Sequence, residues 1–154
     1  MSAQPHGEPA MRAAEPGVSI GVGVSILAIL AMAVDHLMGS DPGLEDPPAF
    51  LTASGLSVAL AAFLFARVVP RATEAGADRA ARNALTLSVL ALVPGLATLW
   101  LGLPFVLAGA GVALGLTARD GGPSRRATAA IAIGAIALLV STTVYVVQAI
   151  EKLA

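Results

Sequence analysis

The chain contains no cysteine, which removes disulfides, iron–sulfur clusters and thiolate metal sites. Its two histidines, His6 and His36, cannot build a His-based metal centre without several further ligands. Charge is scarce: Asp, Glu, Lys and Arg supply 12 % of the residues, against about 25 % in a soluble domain. A chain so poor in charge lacks the polar surface that water demands. The formal net charge of −1 gives no footing for a nucleic-acid partner. P-loop, HExxH, GxSxG and paired-cysteine motifs are all missing. Gly21-Val22-Gly23 has no strand before it and no acidic residue at the spacing a dinucleotide fold requires. A membrane-embedded catalytic site needs several convergent ionisable groups. The expectation is therefore a protein that is not an enzyme and carries no cofactor.

What is present is apolar. Hydrophobic residues make up 56 % of the 154 positions, and the mean hydropathy is +0.83. The length suits one domain. Residues 1–17 hold three prolines and no apolar periodicity, and read as a disordered tail. A first span is expected over about 18–38, long enough to cross a bilayer. Ala31-Met32-Ala33 within it also resembles a signal-peptide cleavage site. The mixed charge of the preceding tail and the length of the apolar stretch favour a retained span. An acidic loop with Asp41, Glu45 and Asp46 follows. A second span is expected over about 49–69, ended by Pro70. Residues 70–83 form a polar, arginine-containing linker. There Thr73 is a candidate helix cap, and Asp78 with Arg82 is a favourable i,i+4 pair.

The longest uncharged run lies between Asn83 and Arg119. As one helix it would measure about 50 Å at ~1.5 Å per residue, whereas a bilayer core is about 30 Å thick. Pro94 should kink its first half. Gly102 suits a helix end and Pro104 the first turn of a new helix. The run therefore divides into spans of about 84–101 and 104–118, and a last span follows over about 127–149. The alternative, a single helix over 84–118, gives four spans. Arginine decides between them, because Lys and Arg in short loops favour the cytoplasm. With five spans, Arg12, Arg67, Arg71, Arg79, Arg82, Arg119, Arg125 and Arg126 share the inside, and Lys152 alone lies outside. With four, the last three arginines move outside. Phe50, Trp100, Phe105 and Tyr145 fall near the expected outer ends, where an aromatic belt belongs. The fold class expected is an all-α integral membrane bundle of five spans, N-terminus in and C-terminus out. Arginine in place of lysine, with abundant Ala and Gly, points by association to a GC-rich bacterial genome, and the localisation expected is the bacterial plasma membrane.

Two groups of residues are candidates for a role. Asp35-His36 near the end of the first span, with Ser141, Thr142 and Thr143 in the last, could line a polar path. The simpler reading puts Asp35 at headgroup level and bonds the hydroxyls to carbonyls of their own helix. The other group is a set of small-residue rows. Gly111 and Gly115, with Ala108 and Ala118, recur at helical spacing in the fourth span, and Ala130, Gly134 and Ala137 in the fifth. Small faces let helices approach closely in lipid, so these two spans are expected to pack on each other. A weaker row, Gly55, Ala59, Ala62 and Ala66, lies in the second span.

The run WLGLPFVLAGAGVALGLTAR, followed by a short basic loop and RRATAAIAIGAIALLV, resembles small multi-span membrane proteins of actinobacteria that have no established activity. The resemblance covers about 85–148 and implies topology without chemistry. The function expected is that of a structural or accessory membrane protein, packing its helices with itself or with a membrane partner. A small channel or transporter for an ion, proton or small solute is the alternative.

Overall fold

The structure is a computed structural model. It describes residues 47–153, together with 19, 20, 23, 24, 26–30 and 33 of the first apolar stretch. Most of the described residues are helical, with no strand among them. Helix α1 spans Pro47–Phe63 and runs through a π turn, Leu64–Val68, into α2, Val69–Glu74. Helix α3 spans Ala77–Ala97. A 3₁₀ turn at Leu99–Leu101 joins it to α4, Leu103–Asp120, and α5 spans Arg125–Leu153.

Pro70 does not end the second apolar span, contrary to the sequence expectation. It lacks an N–H and its ring crowds the carbonyl four residues back. The π turn just ahead of it takes up that misfit: the Val69 N–H reaches back five residues to the Leu64 carbonyl. The rod then continues as α2, with Pro70 in its first turn. Thr73 caps no helix. It lies in α2 and donates to the Val69 carbonyl at 2.9 Å. The break comes at Gly76, whose φ of +99° suits glycine alone.

The uncharged run is two helices. After Pro94, α3 makes one more turn and stops at Ala97. Gly102 then takes the left-handed conformation, φ +66°, and Pro104 opens α4. Helix α5 starts two residues earlier than expected because Ser124 caps it, accepting the Ala127 N–H at 3.3 Å. Its far end passes Glu151, since neither Pro nor Gly interrupts that stretch.

Helices α3, α4 and α5 pack pairwise, α1 and α2 lie along α4, and α2 also meets α3. Helix α4 is central: 61 % of its apolar window is buried, against 28 % for both the α1–α2 rod and α5. Its mean hydropathy, 1.2, is the lowest of the three. Large side chains are spent instead on outward faces, as at Leu51, Leu56 and Phe63 on α1 and Ile136, Leu139 and Ile150 on α5. Among the described residues, three helices are long and apolar enough to cross a membrane: Leu51–Glu74, Leu103–Asp120 and Arg125–Glu151. In water such apolar faces would be a liability; in lipid they are the ordinary outer surface.

Candidate functional site

The interior is built mainly from alanine, glycine and serine, with Phe105, Val106 and Leu114 among the few large side chains fully buried in it. Ser88 of α3 is fully buried and donates to the Ala130 carbonyl of α5 at 2.8 Å. Gly111 of α4 lies directly against it. A Cβ there would strike the Ser88 hydroxyl, and would also come within 3.0 Å of the Ser88 nitrogen and 3.1 Å of the Ala84 carbonyl oxygen. Gly134 of α5 closes the junction. A Cβ on it would meet Val112 at 2.8 Å, the Ser88 hydroxyl at 3.1 Å and the Ala108 carbonyl oxygen at 3.2 Å. Gly115 faces α5, where a Cβ would meet Ile131 at 2.7 Å. The α4 row therefore serves two neighbours, Gly111 accommodating α3 and Gly115 accommodating α5. The expected packing of this helix on the last one is observed, and α3 packs on the same row as a second neighbour. Gly109 serves a further one, since a Cβ on it would fall 2.5 Å from Val24 of the first apolar stretch. Helix α4 is small-sided because it has neighbours on several sides.

One end of this junction is the 3₁₀ turn. Two helices donate to its carbonyls, of which that of Leu99 also accepts the Gly102 N–H at 2.8 Å. The Ser57 hydroxyl of α1 donates to the Leu101 carbonyl, and the Tyr145 hydroxyl of α5 donates to that of Leu99. The Tyr145 ring lies 5.7 Å from that of Phe105, tilted by 40°. Both rings are buried. Tyr145 and Phe105 are thus part of the core, and their place in an aromatic belt is corrected: a phenol whose hydroxyl finds an acceptor inside can be buried.

The other end carries charge. Asp78 at the start of α3 pairs with Arg82 at 2.5 Å, as the i,i+4 spacing predicts, and with Arg126 of α5 at 3.1 Å. Nearby, a Cβ on Gly121 would lie 2.8 Å from that of Ala77. The linker before α3 and the loop after α4 therefore share one end of the bundle.

The chain was compared with family models, curated proteins and solved structures. None matches.

The small-residue candidates Gly111, Gly115, Ala130, Gly134 and Ala137 are all buried at this junction. The hydroxyl group Ser141–Thr143 is not one patch. Thr142 and Thr143 are exposed and bond to the carbonyls of Leu138 and Leu139, one turn back in their own helix. Ser141 alone faces inward, fully buried, and its hydroxyl makes no hydrogen bond to the described residues. Asp35 and His36 lie outside the described residues, as do the side chains of Phe50 and Trp100. Pro94 is exposed near the end of α3, while Gly102 and Pro104 are buried at the turn. No group of three His, Asp or Glu side chains that could hold a metal ion comes together among the described residues. Sequence reasoning passed over Ser57 and Ser88, and it took Tyr145 for an interfacial residue. The available signal was a hydroxyl within an apolar span, which in hydrocarbon must find a partner.

Proposed function

We propose that the protein is a five-span structural or accessory protein of a bacterial plasma membrane. Its spans would be the first stretch (about 18–38), the α1–α2 rod, α3, α4 and α5, with the N-terminus inside and the C-terminus outside. It would act by packing its helices with a second copy or with another membrane protein.

Two observations support the arrangement. Helix α3 is coextensive with α4, Ala77 lying by Gly121 at one end and Gly95 against Pro104 at the other. The Asp78–Arg126 pair gathers the arginines of residues 67–82 and 119–126 at the same end, which is what the preference of arginine for the cytoplasmic side asks of neighbouring loops.

The observation that carries the role is the outward face of α1. Gly55, Ala59 and Ala62 are exposed there, with Ala66 of the following π turn, and nothing lies within 4 Å of a Cβ built on Gly55. Lipid gives no hydrophobic drive for helix association, so a row of small residues, here flanked by the exposed Leu51, Leu56 and Phe63, is where another helix can come close enough for dispersion to matter. The test is extraction in mild detergent and sizing. The native chain is expected to carry a second copy or a co-purifying partner, and Ala59→Leu to release it with thermal unfolding of the chain itself unchanged. A clean monomer from the native chain would contradict the proposal.

A further inference from the structure

Among the described residues, five arginines, Arg67, Arg71, Arg79, Arg119 and Arg125, remain without a carboxylate after Asp78 has taken Arg82 and Arg126. Three of them meet in one place. A cleft of about 320 Å³ between the π turn with α2 on one side and the start of α3 on the other is lined by Arg67, Arg71, Arg79 and Asn83, with Phe63 and Val68. No carboxylate of the described residues lines it. Glu74 is exposed close by in sequence and pairs with no described residue. Arg67 and Arg71 are one helical turn apart, as are Arg79 and Asn83, so each helix turns a single polar edge to the cleft.

Three guanidinium groups around one space repel one another unless an anion lies between them. Their planar forks match the oxygens of a phosphate better than a lone ammonium does. The wall of the cleft toward the apolar span is Phe63, 58 % exposed. A headgroup phosphate held by the arginines would therefore leave its acyl chain against an aromatic side chain already turned to lipid. The π turn bears on this as well. Such turns recur at functional sites, and here the turn holds Arg67 itself, beside the wall formed by Phe63. The second basic opening, about 800 Å³, offers Arg119 and Arg125 beside Pro123, Ser124, Thr128 and alanines. It has no large apolar wall.

We propose that the cleft at Arg67, Arg71 and Arg79 binds the phosphate of an anionic phospholipid. This rests on the membrane arrangement proposed above. The test is native mass spectrometry of the full chain in mild detergent after incubation with phosphatidylglycerol or with phosphatidylcholine of the same acyl chains. Phosphatidylglycerol is expected to be retained about tenfold more than phosphatidylcholine, given the pull of clustered arginines on anionic headgroups. The double variant R67Q/R71Q is expected to lower its retention by about tenfold, and R119Q/R125Q, with the same change in charge, to leave it unchanged. Equal losses in the two variants, or equal retention of the two lipids, would overturn the proposal. Should R67Q/R71Q fail to fold, R67K/R71K replaces it, keeping charge while removing the forks. Retention by that variant is expected to fall severalfold, and unchanged retention would overturn the proposal. Displacement of the lipid by millimolar inorganic phosphate would assign the site to a soluble phosphate compound and likewise overturn it. Labelling of Ala75→Cys from each side of the membrane reads the topology separately. Failure of the lipid experiment with a cytoplasmic label at that position would remove the site and leave the span arrangement standing.

Discussion

Ser88 shows how little side chain this bundle needs. One hydroxyl donates to Ala130 and lies against two glycines, on α4 and α5. Interhelical hydrogen bonds of this kind contribute about 0.6 kcal/mol on average in membrane proteins, so close backbone approach, not the bond, carries most of the stabilisation. The glycines test this. A methyl at Gly111 would meet backbone atoms as well as the serine hydroxyl, and backbone cannot rotate away. Gly111→Ala is expected to lower stability in detergent by about 1–3 kcal/mol, the usual range for overpacking. Gly55→Ala meets nothing, and should be neutral or stabilise by a few tenths to about 1 kcal/mol through helix propensity. Denaturant titration followed by circular dichroism compares them. Equal effects would mean that Gly111 is not at a close approach. At this scale the sequence was partly legible. Repeating small residues marked the inward faces of α4 and α5, because a 3.6-residue period survives in composition. The neighbour of each glycine was not legible, since that depends on helices far away in the chain. The same limit hid Ser57, whose acceptor at Leu101 is 44 residues on.

At the scale of elements, the local rules for turns held and the expected stop at Pro70 was overridden. Gly102-Leu103-Pro104 reads as a stop followed by a start, and the chain reverses there because only glycine takes φ +66° without strain. Gly102→Ala is expected to cost about 1–2 kcal/mol, the penalty for an L-residue in that conformation. The loss should appear in thermal unfolding, with cleavage by added protease increased at 98–103. An unchanged melting temperature would mean that the turn relaxes to another conformation. Pro70 is the counter-example. Proline removes one hydrogen bond, but whether the helix stops depends on whether the preceding turn can widen. A five-residue π turn does so here, and no propensity scale announces it. The aromatics err in a similar way. The sequence puts Tyr145 in the belt, yet its ring is buried and its hydroxyl donates to the Leu99 carbonyl.

For the whole molecule, hydropathy and charge bear on different questions. Hydropathy identifies helices able to cross a membrane but misjudges which one is central. Helix α4 is the least apolar of the three and the most buried, because a helix surrounded by helices needs small side chains more than greasy ones. Charge speaks to sidedness. The contact between Asp78 and Arg126 across 48 residues joins two basic segments that the sequence could only count separately. The absence of cysteine from the chain makes the direct test clean, since any cysteine introduced is unique. Ala75→Cys, Pro123→Cys and Glu151→Cys, all at exposed positions, should be treated in intact bacterial cells with a membrane-impermeant maleimide. With five spans, Glu151→Cys is labelled in intact cells, and the other two only after lysis. Labelling of Ala75→Cys and Pro123→Cys from opposite sides, or protection of Glu151→Cys in intact cells, would contradict the account.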